Sequence, residues 1–248
     1  MKISVYTCIT KGYDRALPGS PNFDWEMDLV AFTDSNFQAT NGWSTKALHC
    51  DSLELRPDLI NRFHKILYYK VLEDSQVSIY IDGNVQMGAD FKGLIQDFIS
   101  SGKPIGLSLH TQRSSILEEL DACKDMAKFK GDDSSRGDAQ VRRYLEAGLP
   151  WDYPLYSATV IFRNHKYDVA LKEAMNLWWE QVVSHTARDQ LSLPFVLWVT
   201  GIEPFILKFD IFDNPYFIRY SHDGQPPSKA RMLRKILKSY VLRKIYGQ

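Results

Sequence analysis

The chain has 248 residues, of which 44% are hydrophobic, 24% charged and 13% aromatic, enough for one large domain that buries roughly 70–75% of its unfolded surface. Thirty basic residues balance thirty acidic ones, so no global field selects nucleic acid and any electrostatic preference must be local. The three cysteines, Cys8, Cys50 and Cys123, are widely spaced and form no CxxC pair, which argues against a disulfide framework or a zinc site and for a reducing compartment.

KISVYTCI predicts a buried first strand followed by a KGYD turn. Its apolar run is too short for a signal peptide, and no stretch approaches the roughly 20 apolar residues of a membrane span. A cytoplasmic protein is expected. DLVAFTD (28–34) predicts a second strand. RPDLINRFHKILYYKVLED predicts a helix, because Ile60, Phe63, Leu67 and Val71 recur at spacings of three and four and Asp58 after Pro57 suits a first turn. VSIYI alternates with period two as a strand does and stops at Asp82-Gly83-Asn84. IGLSLH (105–110) predicts a further strand. Strands alternating with helices define an α/β domain with a largely parallel sheet. Ligands of such sheets gather at the carboxyl ends of strands, where Thr7, Asp34, Asp82 and His110 are expected to lie.

Residues 111–147 are polar, with KGDDSSRGD reading as a loop between two helical pieces. Their apolar content is thin for core, so a flap or an acceptor-side insertion is expected. LYSATVIFRN returns to strand character. YDVALKEAMNLWWEQVVSH predicts a helix whose apolar side comprises Val169, Ala170, Ala174, Leu177, Trp178 and Val182. RDQLSLPFVLWVTG follows, then β-like IEPFILKFDIF and PYFIRYSHDG. Residues 1–227 read as one domain and 228–248 as a distinct tail. In that tail Lys229, Arg231, Arg234, Lys235, Lys238, Arg243 and Lys244 give seven positive charges and no negative one. Met232, Leu233, Ile236, Leu237, Tyr240 and Val241 recur at helical spacing. Such a basic amphipathic helix lies on an anionic membrane surface or packs its apolar side on the domain.

Asp82 and Asn84, two apart after a strand, present two oxygens to one side, and Gly83 leaves room for a bulky ligand. Mg²⁺ and Mn²⁺ favour such oxygen ligands. The same three residues also make ordinary turns. Arg62 and Lys65, three apart, share one side of their helix. They suit a diphosphate beside the metal, or simply form a solvated face. Asp189 and Gln190 can orient sugar hydroxyls and stabilise developing positive charge. Alternatively Thr186 and Asp189 have capping-box spacing and begin a helix. His222, followed by Asp223-Gly224, is a late candidate ligand or a structural histidine.

Taken in order from about residue 3 to about residue 200, YTCITKGYD, VAFTD, NRFHKILYYK, YIDGN, His110-x-x-Arg113, YLEAGLP, VIFRNH, WWEQ and RDQLS resemble the glycosyltransferase-like family typified by plant mucilage-related proteins. That resemblance implies a GT-A fold: a Rossmann-like, mixed, mainly parallel sheet flanked by helices that holds a nucleoside-diphosphate sugar. It puts Asp82 and Asn84 in the Asp-x-Asp metal motif, with Mn²⁺ or Mg²⁺ as cofactor. Thr7, Tyr13 and Asp34 are then expected at base and ribose, and Arg62 and Lys65 at the diphosphate. His110 and Arg113 would serve donor or acceptor, with Asp189 and Gln190 at the reacting sugar. A looser likeness to retaining galactosyl- and galacturonosyl-transferases adds His222 as a metal ligand. The sequence departs from these relatives in carrying Asn84 rather than Asp and in lacking Asn-Ser-Gly within LYSATVIFRN.

The expectation is a metal-assisted glycosyltransferase that takes a UDP-sugar to a glycan or lipid-linked acceptor, peripheral at the inner membrane face through its tail. The alternative is a non-catalytic sugar-nucleotide or glycan-binding protein on the same fold. A metal-dependent nucleotidyltransferase fits less well, because ITKGYD has a single glycine where a phosphate loop needs several.

Overall fold

The computed structural model describes residues 1–14, 19–20, 23–36, 42–129, 131–222 and 237. Seven strands form the main sheet in the order β3-β2-β1-β4-β7-β6-β8. They are β1 (Ile3–Ile9), β2 (Asp28–Thr33), β3 (Trp43–Lys46), β4 (Val77–Ile81), β6 (Ile105–Leu109), β7 (Tyr156–Asn164) and β8 (Phe205–Ile206). Only β7 runs antiparallel to its neighbours, β4 and β6. A separate ribbon pairs β5 (Val85–Met87) with β9 (Phe217–Arg219). The chain leaves β1 for β2 on one side and returns to β4 on the other, so the strand order reverses between β1 and β4. A crevice outside the carboxyl ends of those two strands is where ligands of open α/β sheets bind.

The alternation of each strand feeds two cores. Tyr6, Cys8, Val30, Phe32 and Tyr80 pack on one face with α1 (Pro57–Ile66), α6 (Asp168–Ser184) and α7 (Asp189–Thr200). Val5, Ile9, Ala31, Ile79, Ile81 and Phe162 pack on the other with α3 (Lys92–Ser100) and the β5/β9 ribbon. The GT-A-like, mainly parallel sheet flanked by helices is thus the observed fold. Among the described residues no helix is long and apolar enough to cross a membrane.

Several elements differ from expectation. The helix expected over 56–74 breaks at Leu67 (φ −87°, ψ 52°) into α1 and the short α2 (Tyr68–Val71). The cause lies at the end of α1, where side chains claim the Lys65 carbonyl: Arg163 Nη2 at 2.8 Å and the Tyr6 hydroxyl at 3.2 Å. The polar stretch 111–147 is not a flap around a loop. It forms α4 (Ile116–Asp125) and α5 (Asp133–Glu146), and DSSRGD is the first part of α5. Ile116, Leu120, Val141 and Tyr144 close a third core with Leu149, Leu155 and Leu191. On α6 the buried side includes Leu171 and Met175, while Val169 is exposed. Of IEPFILKFDIF only Phe205–Ile206 is strand. Strands β3 and β5 and helix α3 have no counterpart among the expected elements. The tail lies outside the described residues except for Leu237, which is helical and exposed.

His64 on α1 is fully buried; its Nε2 accepts the His49 N–H at 3.0 Å and its Nδ1 lies 2.9 Å from the Ile60 carbonyl. Burial pushes its pKa down to about 4, against the pull of that carbonyl. The unfolded chain therefore binds the proton more readily between the ordinary value of about 6.5 and 4, and stability is lost as pH falls through that window. Urea denaturation is expected to show His64 alone costing about 2 kcal/mol between pH 7 and pH 5. His64→Gln should flatten the pH dependence by that amount; an unchanged slope would mean the imidazole is not held neutral.

Candidate active site

The carboxyl edge of the parallel strands collects most of the sequence candidates, but not Thr7. That residue sits within β1, fully buried, and its hydroxyl has no hydrogen-bond partner among the described residues. Thr10 is the residue at the end of the strand. Its hydroxyl donates to Asp34 at 3.0 Å, and the Lys11 N–H donates to the other Asp34 oxygen at 2.9 Å. Burial raises the Asp34 pKa, but these bonds and the Lys11 ammonium outweigh it and hold the carboxyl below its ordinary value. Asp34 thus fastens the loop after β1 to the end of β2.

The centre of the edge is an ionic cluster. Lys65, 3% exposed, places Nζ 2.6 Å from Asp189 and 3.5 Å from Asp82, over the Tyr80 ring at 5.2 Å. Arg62 Nε lies 3.2 Å from the other Asp189 oxygen. The two cations of α1 are turned into the crevice, so the solvated-face alternative does not hold. Helix α7 starts at Asp189 without a side-chain cap, and the Thr186 hydroxyl donates instead to Gln140. The capping box is therefore absent, and Asp189 is an ion-pair partner. Its burial favours the neutral acid, yet Arg62 first, then Lys65 and Arg188, hold it well below the usual carboxylate range. Gln190 follows with a buried amide nitrogen that has no partner among the described residues.

Lys65 is aimed from behind. Arg163 on β7 is fully buried, donates to the Tyr6 hydroxyl at 2.9 Å and to the Lys65 carbonyl, and lies over the Tyr68 ring at 5.0 Å. It pairs with no carboxylate among the described residues. Within VIFRNH nothing local marks Arg163 for this role, because its partners lie too far along the chain for spacing to suggest one.

At the β4 end, Asp82 N–H donates to the Thr159 carbonyl at 3.0 Å and its carbonyl accepts the Val85 N–H at 2.9 Å, closing a turn. Asn84 Nδ2 donates to the Tyr220 carbonyl at 2.8 Å and its own carbonyl accepts the Tyr220 N–H at 2.8 Å. That pairing brings the chain after β9 alongside, and His222 Nδ1 lies 2.7 Å from Asp14. The exposed Tyr13 ring lies 4.5 Å from that imidazole. Asp14 is buried, which raises its pKa; His222 opposes the rise and the Asp82 charge adds to it. Gly83 is required: a Cβ there would stand 2.5 Å from Asp14 Oδ2 and 2.8 Å from Ile9.

His110 and Arg113 belong to a neighbouring knot. His110 Nδ1 accepts the Gln112 and Arg113 N–H groups at 3.2 and 3.1 Å, and Arg113 Nε is 2.5 Å from the buried Glu119. Burial and then Arg113 lower the His110 pKa. Among the described residues only His49, Cys50 and Asp51 bring three ligand atoms within 4.8 Å of one another. His49 Nδ1 there accepts the Asp51 N–H at 3.2 Å, and Asp51 pairs with Lys70 at 2.9 Å; the trio caps a 3₁₀ turn. A cavity of about 780 Å³ opens at the opposite edge, lined by Met1, Ile3, Trp25 and Leu29, away from the carboxyl ends.

A parallel sheet with an acidic turn and buried cations at its switch point defines a GT-A, glycosyltransferase-like domain. The model of the TOD1/MUCI70 glycosyltransferase-like domain matches residues 58–218, well over half of the sequence, and the chain belongs to that family. No curated protein matches the sequence. The fold is similar to that of mouse xyloside xylosyltransferase 1 in its apo form, at 9% identity and a TM-score of 0.51, covering 86% of this chain and 87% of that one. It is also similar to the WbbM bifunctional glycosyltransferase, at 12% identity and a TM-score of 0.53, covering 96% of this chain but 44% of that one. At these identities the likeness is one of fold.

Removing one partner of a buried ion pair leaves an uncompensated charge and costs about 3–5 kcal/mol. Asp189→Asn, which strands Arg62 and leaves Lys65 only the longer contact to Asp82, is expected to lose stability of that size in denaturant titration at pH 7. A loss below about 1 kcal/mol, the range of exposed pairs, would show that the cluster is solvated.

Proposed function

We propose that the protein transfers a sugar from a nucleoside diphosphate, with a UDP-sugar the favoured donor, to a glycan or lipid-linked acceptor. The observation that carries this reading is Lys65, a buried cation shared between Asp82 and Asp189 at the switch point. A leaving diphosphate needs fixed positive charge where its own charge develops, and Lys65 and Arg62 supply it already oriented.

Mn²⁺ or Mg²⁺ would draw on the oxygen donors of the acidic turn, Asp82 and the Asn84 side-chain oxygen, with Asp14 and His222 paired alongside and Asp14 filling the space that a Cβ on Gly83 would need. When bound, such an ion supplies Lewis-acid neutralisation of the diphosphate. The chain's own residues do the rest. Asp189, with both oxygens engaged by cations, orients Arg62 and Lys65 and is poorly disposed to attack an anomeric carbon. Gln190 carries the open buried donor for a ligand oxygen. Asp34 and Tyr13 flank the loop after β1, in reach of a base and ribose in this reading. His110 and Arg113, in the neighbouring knot, would serve donor or acceptor in this reading.

The basic amphipathic pattern of residues 229–248 supports peripheral attachment at the inner, anionic face of a membrane.

Incubation with Mn²⁺ and a panel of sugar nucleotides is expected to give slow donor hydrolysis, and Asp82→Ala should abolish metal-dependent donor binding in calorimetry. Binding without turnover, even with candidate acceptors, would favour the non-catalytic module. Separately, deleting residues 229–248 should release the protein from phosphatidylserine-rich liposomes in a flotation assay. Full retention would refute the tail's role.

A further inference from the structure

His110 follows β6, and its ring is fixed from one side, where Nδ1 accepts the Gln112 and Arg113 N–H groups at 3.2 and 3.1 Å. Burial and then Arg113 lower its pKa, so the neutral ring carries its one proton on Nε2. That N–H is a donor, yet at 2.8 Å it meets Arg113 Nη2, which has only protons to offer. Arg113 gives its Nε–H to Glu119, and among the described residues no acceptor oxygen engages Nη2 or His110 Nε2. Two donors facing each other without an acceptor are unfavourable. One oxygen in front of both would satisfy them together.

Positive charge gathers at the same place. Ala127, at φ 48°, turns the chain after α4 so that the Lys128 N–H returns to the Cys123 carbonyl at 2.9 Å. Burial lowers the Lys128 pKa; Glu119 opposes that, while Arg188 and Arg113 add to it. Neither Lys128 nor Arg188 forms an ion pair among the described residues, whereas Glu119, 1% exposed, is paired with Arg113. Asp210, the other carboxylate acting on His110, takes the Thr111 hydroxyl at 3.1 Å and the Phe212 N–H at 2.8 Å. Three cations around one buried carboxylate are favourable only when a further anion joins them. Arg188 also acts on Asp189, which links this group of charges to the ionic cluster.

We propose that His110 and Arg113, together with Lys128 and Arg188, form a subsite for an anionic group, a carboxylate or a phosphate, carried by the acceptor. The proposal rests on the glycosyl-transfer reading above and names the class of its acceptor. Arg62 and Lys65 already match the donor's diphosphate, so the second anion is assigned to the other substrate. An oxyanion there accepts from His110 Nε2 and Arg113 Nη2 at once, and its charge offsets the crowding of the cations.

Calorimetry on the full chain, with Mn²⁺ and with or without UDP, tests this. The probes are digalacturonate for an acidic glycan and dodecyl phosphate for a lipid phosphate, with lactose and dodecyl maltoside as their neutral counterparts. At least one anionic probe is expected to bind beside UDP, and neither neutral one. Binding of digalacturonate alone identifies a glycan acid, and of dodecyl phosphate alone a lipid phosphate; either supports the subsite. His110→Asn keeps an acceptor for the two backbone N–H groups but removes the Nε2 donor. That variant and Lys128→Gln should each weaken anion binding by about tenfold or more. Lys124→Gln, which removes an exposed cation of α4, should stay within about threefold of the wild type. Protein that binds UDP but no anionic probe, or whose anion binding survives His110→Asn and Lys128→Gln, overturns this proposal alone. A preference for UDP-galacturonate over UDP-galactose that His110→Asn abolishes would give the anion to the donor and overturn the acceptor assignment. Protein that binds no UDP overturns the transfer reading and the acceptor assignment with it. Circular dichroism establishes that each variant is folded; should His110→Asn unfold, Lys128→Gln decides.

Discussion

The contact between Lys65 and Asp189, 2.6 Å with both side chains almost wholly buried, constrains the rest of the site. Removing two charges from water is expensive, and their attraction offsets that only when geometry is close and the remaining polar groups are satisfied. Four elements must be in place together. Helix α1 has to end where it does, α7 has to begin at Asp189, β4 has to deliver Asp82, and β7 has to bring Arg163 beneath the α1 terminus. The break at Leu67 follows from this, because a carbonyl held by Arg163 and Tyr6 is diverted from a continuing helix. Lys65 is thereby fixed from both its backbone and its ammonium. A lysine so confined keeps little of the rotamer freedom that an exposed one has, and a ligand that uses it gives up correspondingly less.

The same economy of motion is seen at the acidic turn. Gly83 has no side chain because Asp14 and Ile9 occupy the space one would need. Asn84 ties the turn to the chain after β9 by two hydrogen bonds. The loop after β1, the end of β4 and the end of β9 are thus brought to one corner by contacts that involve almost no flexible side chain.

What is legible in the sequence is whatever is encoded locally. Alternation in VSIYI and KISVYTCI marks the two central strands, and a carboxylate directly after an apolar run marks the binding edge. The three-residue spacing of Arg62 and Lys65 puts them on one side of a helix, but whether that side faces water depends on Asp189, far along the chain. Asp14 and Arg163 carry no local signal at all: each acts through residues that only the tertiary fold brings near. Residues 133–138, DSSRGD, read as a loop because aspartate, serine and glycine compete with helix locally; packing of Val141 and Tyr144 into the third core overrides that preference. Strands β3 and β5, of four and three residues, are too short for periodicity to register. Thr7 stands before the last residue of β1, Ile9, and in a strand a displacement of two positions keeps a side chain on the same face while moving it from the rim into the interior.

Charge balance sets what the crevice can take. Asp189 is paired with both Arg62 and Lys65, and the Arg188 charge acts on it as well, so the cations around this carboxylate outnumber it. Asp82 takes a share of the Lys65 ammonium at 3.5 Å, while Asp14 is matched separately by His222. The positive charge left beside Asp189 is what a diphosphate would meet in the proposed reaction, and it is held in place before any ligand arrives.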